Sequence, residues 1–199
     1  ERAARAVRTL GRQALVANPP GRHARMLLLS AGMPRVESGL EVLVHGTRSV
    51  LRGLRVGLLA HQASVDRRYR HAALLLGDLR GVRLARLFAP EHGLWGAAQD
   101  QAPVAATRDP ATGLSVWSLY GAQREPTAVM LRGLDALVVD LQDVGARYYT
   151  FVWTTALAMR ACARAGVRVV VLDRPNPLGG AHVEGNVPDP AFASFVGLH

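Results

Sequence analysis

The chain has 199 residues, 49% of them apolar and 20% charged, and carries a formal net charge of +9. That length supports a full hydrophobic core. No apolar run approaches the roughly 20 residues of a membrane span, and the single cysteine, Cys162, forbids an internal disulfide and sits in a helix-like stretch where packing is its natural part. The charge does not describe a nucleic-acid partner: all 24 basic residues are arginines, six of them fall in residues 1–32 against Glu1 alone, and no later arginine cluster is interleaved with base-stacking aromatics.

Residues 1–32 carry Pro19-Pro20 and the short run "MLLLSAG", too short for the h-region of a signal peptide. They read as a poorly ordered extension, with the working protein beginning near Met33. Without a visible signal peptide the expected compartment is the cytoplasm, export remaining open.

From residue 52 onward strands and helices alternate. "LRVGLLA" (54–60) is a short apolar strand. "DRRYRHAALLLGDL" (66–79) has apolar residues at helical spacing, with Asp66 as the expected N-cap. "VRLARLF" (82–88) is the second strand and "LSVWSLY" (114–120), after the turn "RDPATG", the third. "PTAVMLRG" (126–133) is a short helix with Pro at its start and Gly after its end. "DALVVDLQ" (135–142) is the fourth strand, "YTFVWTTALAMRACARAG" (149–166) a long helix, and "VRVVVLD" (167–173) the fifth strand. Such alternation predicts an α/β fold: a Rossmann-like, mostly parallel sheet with helices on both faces. The expected division is an extension over 1–32, a catalytic-side domain over 33–185, and in 186–199 the start of a connection to a C-terminal domain.

In open parallel sheets ligands bind beyond the carboxyl ends of the strands, and the polar residues collect there. In chain order the strands lead to His61-Gln62, to Pro90-Glu91-His92-Gly93, to Ser118 and Tyr120, to Asp140, Gln142, Asp143 and Arg147, and to Asp173-Arg174-Pro175-Asn176. Blander readings stand beside this. Asp140 and Asp173 suit turn caps, Arg147 and Arg174 suit ion pairs with Asp143 and Asp173, and Tyr148, Tyr149 and Trp153 suit packing. Glu91 fits such a reading least well, because it follows Pro90 directly after a buried strand with no basic residue close in sequence.

A dinucleotide site would need G-x-G-x-x-G after the first strand, and "LLAHQASVD" has no glycine. There is no phosphate-binding P-loop and no G-x-S-x-G elbow. His61, His92, Asp140 and Asp143 could together hold a metal, without any metal-ligand spacing to support it. A carboxylic acid at a cleft mouth, flanked by other carboxylates, aromatics and arginines, suits glycoside hydrolysis, where one acid protonates the leaving oxygen.

"GLLAHQASVD", "LFAPEHGLWGAAQD", "TGLSVWSLYG", "DALVVDLQDVGARYYTF" and "VVLDRPNPLGG" followed by "HVEG" together resemble the exo-β-N-acetylmuramidase family, from about Val36 to His199. The resemblance implies a Rossmann-like N-terminal domain, a second C-terminal domain with the cleft between them, and release of non-reducing-end N-acetylmuramic acid from peptidoglycan fragments. It makes Glu91, the glutamate of the P-E-H-G motif, the catalytic residue. Two positions depart from the family pattern: Ala60-His61-Gln62-Ala63 replaces an Asn-containing stretch, and Trp95 stands where Arg is frequent.

The expected site follows. Glu91 is the general acid and His92 orients it. Asp143 or Glu184 is the second carboxylate. His61, Gln62, Tyr120, Asp140, Gln142, Arg147, Tyr148, Arg174 and Asn176 line the substrate side, with Arg147 or Arg174 receiving the lactyl carboxylate of muramic acid. The expected partner is a peptidoglycan-derived oligosaccharide, with no cofactor, no metal, no nucleic acid and no membrane span. The alternatives are a non-catalytic sugar- or muropeptide-binding module and a metal-dependent hydrolase.

Overall fold

The computed structural model describes residues 36–97 and 107–197. The extension expected over residues 1–32 lies outside them. Chain entry is fixed by a capping box. Ser38 accepts from the Glu41 N–H, and the Glu41 carboxylate reaches back to the Ser38 N–H at 3.1 Å, satisfying two otherwise orphaned donors. The helical stretch that follows, α1 (Gly39–Val42), runs on through one π-type and one 3-10 turn to Leu51.

Six strands follow: β1 (Arg55–Ala60), β2 (Arg83–Ala89), β3 (Thr107–Arg108), β4 (Ser115–Ser118), β5 (Ala136–Asp140) and β6 (Arg168–Val171). They form one sheet in the order β3-β4-β2-β1-β5-β6. Every pairing is parallel except β3 with β4. The alternation predicted from sequence is therefore present, and the edge strand β3 is an addition to it. β3 and β4 are the two arms of a hairpin around the "RDPATG" turn, where Asp109 accepts from the Thr112 N–H and hydroxyl.

β1 is the central strand. Its residues 56–60 are all buried, and their period-2 alternation divides the core. Val56, Leu58 and Ala60 face one layer with Leu40, Leu43 and residues of α2 (Ala72–Gly77). Leu59 faces the other with Phe88, Leu137 and residues of α3 (Ala128–Leu131) and α4 (Phe151–Ala165). Helices thus cover both faces. Gly57 belongs to this second face for a steric reason: a Cβ there would lie 2.8 Å from Phe88 Cε2 and 2.9 Å from Leu134 Cδ1.

One boundary differs from expectation. The helix expected from Asp66 begins at Ala72, and its N-cap is His71, whose Nδ1 accepts from the Ala73 N–H. Asp66 instead accepts from the N–H groups of Arg68 and Arg70, both at 2.9 Å, and pairs with the Arg70 guanidinium. It builds a turn, the local competition with helix that short acidic side chains offer. The described residues form one compact unit. Near its end Phe195 packs beside Tyr120, with the Arg124 guanidinium 4.9 Å from the Phe195 ring centroid.

Candidate active site

The parallel strands run outward from β1 in both directions, so successive crossovers reverse between β1 and β5. That reversal is a topological switch point, where the loops at the carboxyl ends part and leave a crevice. His61 follows β1 and Asp140 ends β5, one on each side of it.

Both turn inward. His61 is 1% exposed. Its Nε2 accepts from the Gln142 N–H at 3.1 Å. Its Nδ1 accepts from the Ala63 N–H at 3.2 Å and lies 3.1 Å from Ser64 Oγ. Ser64 in turn donates to the Asp140 carbonyl oxygen. Burial holds the imidazole pKa below its ordinary value, in keeping with a neutral ring, and Phe151 meets it edge-on at 4.7 Å.

Asp140 is fully buried, and both its oxygens are taken by Arg174, Nε at 2.6 Å and Nη2 at 2.9 Å. Arg174 Nη2 also donates to the Val65 carbonyl. The ion pair expected of Arg174 exists, with Asp140 rather than Asp173 as its partner. His61, Asp140 and Arg174, read from sequence as substrate contacts, form the floor that ties the ends of β1, β5 and β6 together. The same commitments empty the metal reading of two of its four donors, the His61 Nε2 lone pair and the Asp140 carboxylate.

Glu91 is half-buried just after β2. The turn that carries it closes with Gly93 N–H donating to the Pro90 carbonyl at 3.1 Å and needs left-handed backbone at His92 (φ 68°) and Gly93 (φ 81°). A non-glycine residue in that region stores about 1 kcal/mol or more, and such strain concentrates at functional sites. Oε2 of Glu91 accepts from the Thr150 hydroxyl at 2.9 Å. Oε1 has no partner among the described residues. Thr150 is 5% exposed and sits immediately before α4.

Asp143 is half-buried, and its Oδ2 accepts from the Gly145 N–H at 3.2 Å. It borders two concavities. One, of about 330 Å³, runs between α4 and the end of β6 with Val152, Met159 and Val171 as apolar wall. The other, of about 260 Å³, is bounded by Arg147, Tyr149 and Trp153. Neither includes Glu91. Gln142 donates its side-chain amide to the carbonyls of Asp143 and Pro175, and Asn176 lies against Gly145. Arg147 donates to the Asn186 carbonyl, so the β5–α4 loop holds the segment that follows β6. Gln62 packs over Gly96, Tyr120 sits beside Phe195, and Tyr148 is exposed and stacked on Tyr149 at 5.0 Å. Glu184 is exposed on the segment after β6 and bonds to none of the described residues. Trp95 donates to Asp109 and stacks on His71, which ties the Glu91 loop to the β3–β4 turn.

Two participants, Ser64 and Thr150, escaped the sequence reading. Thr150 meets Glu91 across 59 positions, beyond the reach of any local pattern.

Fold and site define a doubly wound α/β domain with a half-buried glutamate just past the carboxyl end of β2. Residues 56–199 match the family model described as exo-β-N-acetylmuramidase NamZ, N-terminal, and the chain belongs to that family. It is 42% identical over 170 residues to the peptidoglycan β-N-acetylmuramidase NamZ of Bacillus subtilis (strain 168), covering 85% of this chain and 41% of that protein. Among solved structures, two DUF1343 family proteins from Bacteroides fragilis NCTC 9343 share the fold. One has a TM-score of 0.76 and 40% identity over 83% of this chain and 42% of its own. The other has 0.66 and 29% over 81% and 40%. The chain thus spans about two fifths of the length of these relatives. Among the described residues no helix is long and apolar enough to cross a membrane.

Proposed function

We propose that this chain is the catalytic-side domain of an exo-acting glycoside hydrolase that releases N-acetylmuramic acid from the non-reducing ends of peptidoglycan fragments. The observation that carries the reading is Glu91, half-buried just past the carboxyl end of β2 with one carboxyl oxygen held by Thr150 and the other without a protein partner among the described residues. The activity named for the Bacillus subtilis relative supports the substrate class.

In this reading Glu91 gives its proton to the glycosidic oxygen as the bond to the anomeric carbon breaks, and the bond's electron pair leaves with that oxygen. Asp143 serves as the second carboxylate, since it lines the concavities beside α4 while Glu184 is exposed and has no partner among the described residues. Water completes the displacement. Arg147 receives the lactyl carboxylate, because Arg174 is buried and its charge is already paired with Asp140.

The test is hydrolysis of a chromogenic β-N-acetylmuramide by the native full-length polypeptide and by its Glu91→Gln variant. The expected loss in kcat is about 10²–10⁴-fold, the usual worth of a general acid, with substrate still bound. A Glu91→Gln protein that turns over like wild type would sink the assignment. Binding without hydrolysis in the wild type would instead make this a sugar-binding module.

A further inference from the structure

Thr150 occupies the N-cap position of a 15-residue helix and does not cap it. A threonine there normally adopts extended backbone and accepts from the N–H two or three residues on, worth about 1 kcal/mol to the helix. Here its backbone is helical (φ −81°, ψ −5°) and its hydroxyl makes no cap bond. The hydroxyl points to Glu91 Oε2 instead, 2.9 Å away in a part-buried bond, with Thr150 itself 5% exposed. The residue is held in that attitude from its own helix and from the neighbouring ring. Its carbonyl accepts from both the Thr154 N–H at 2.8 Å and the Thr154 hydroxyl at 3.0 Å, and the next residue, Phe151, is pressed edge-on against the buried His61 ring. The network below the crevice thereby fixes the start of α4, and the start of α4 fixes the glutamate.

We infer that Thr150 is the positioning residue of Glu91 and decides which carboxyl oxygen carries the transferable proton. The inference rests on the reading of Glu91 as the acid. A hydroxyl has one proton to donate, and Glu91 is the acceptor it has. With that proton on Oε2, this oxygen stays an acceptor through the cycle, and the acid's own proton is confined to Oε1, the oxygen without a protein partner among the described residues. When Oε1 passes its proton to the glycosidic oxygen, the contact to Oε2 is retained and shortens toward a charge-assisted bond. No group has to turn. The interaction is therefore stronger after proton transfer has begun than before it, which is the condition for raising kcat rather than lowering KM.

The experiment compares Thr150→Val, Thr150→Ala and Thr150→Ser in the native full-length polypeptide on a chromogenic β-N-acetylmuramide, with Glu91→Gln as control. Loss of one hydrogen bond to a charged group predicts that Val and Ala each lower kcat by about 10–100-fold with KM changed less than about threefold, while Ser recovers most of kcat. Because the hydroxyl caps nothing, Ser and Val should melt at similar temperatures. Full kcat in both Val and Ala overturns the inference. So does a Ser variant as impaired as Val, which would make the methyl group the important part, and so does a loss confined to KM. If Glu91→Gln keeps wild-type turnover, the assignment of the acid itself falls; if Glu91→Gln is inactive while Val and Ala turn over normally, only the role of Thr150 falls.

Discussion

Two arginines at the crevice look alike in sequence and do different work. The Arg174 side chain is 8% exposed and forms a two-pronged pair with a fully buried Asp140. Removing one partner of such a pair strands a charge in low dielectric, which costs about 3–5 kcal/mol. Arg147 is exposed and spends one nitrogen on a backbone carbonyl. Arg174→Met should therefore shift the urea midpoint sharply downward. Arg147→Met should leave it nearly in place and raise KM for a β-N-acetylmuramide by about 10-fold or more over the lactyl-free glucosaminide. Equal KM rises on both sugars would remove Arg147 from the lactyl carboxylate, and a stable Arg174→Met protein would contradict the buried-pair account. At the same scale Cys162 is a packing residue: burial pushes its thiol up to about 11, on the face of α4 turned to the core.

Among the elements, α1 is one of the shortest and is tightly constrained. Its first residue, Gly39, donates its N–H to the Asp173 carbonyl at 2.6 Å, which brings the helix start onto the chain just past β6. A Cβ on Gly39 would overlap the backbone of Leu172 and Asp173. Backbone cannot rotate aside as a side chain can, so Gly39→Ala should displace α1 and cost about 1–3 kcal/mol, measured by chemical denaturation. Gly46→Ala, where nothing lies within 4 Å, is the matched control. A Gly39→Ala protein as stable as that control would show the contact to be slack. α4 is constrained differently: its buried residues Ala158, Ala161 and Cys162 are small, so it lies close on the sheet and its first turn reaches the mouth of the crevice.

For the molecule as a whole, pH resolves how the buried polar network is held. Burial lowers the pKa of both His61 and His71. Protonating either ring in the folded state takes away an accepted hydrogen bond, Gln142 N–H on His61 and Ala73 N–H on His71. The unfolded chain binds these protons near pH 6.5 while the folded chain resists them, so stability is full above that pH and declines as pH falls below it. A second decline should follow between about 4.5 and about 2. There Glu41, held low first by the Arg67 hydrogen bond and then by Ser38 against the opposing effect of burial, takes up its proton. Urea midpoints at pH 7.5, 6.5 and 5.5 test the first window. A midpoint that stays flat or rises toward pH 5.5 would refute the neutral, buried state of the two rings.

The amino-acid order alone was enough for the alternating layers. Leu58, Leu59, Val138 and Val139 are apolar on both faces of their strands, as only a strand buried on both sides requires, and Glu91 stood out because Pro90 and a buried strand precede it. The short hairpin strand β3 was hidden because two residues leave no periodicity, and the start of α2 was misplaced because Asp66 could cap a helix or build a turn equally well from local sequence. Site roles were harder still. His61, Asp140 and Arg174 carry polar groups at strand ends, which is where ligand contacts also lie, and whether such a group faces the crevice or the floor depends on partners 34 to 109 residues away along the chain. Local patterns of hydrophobicity and turn chemistry determine elements because their energies are local. The assignment of each polar group to ligand or to support is decided only when distant strands are brought side by side, since a buried hydrogen bond is defined by its partner and the sequence does not say who that will be.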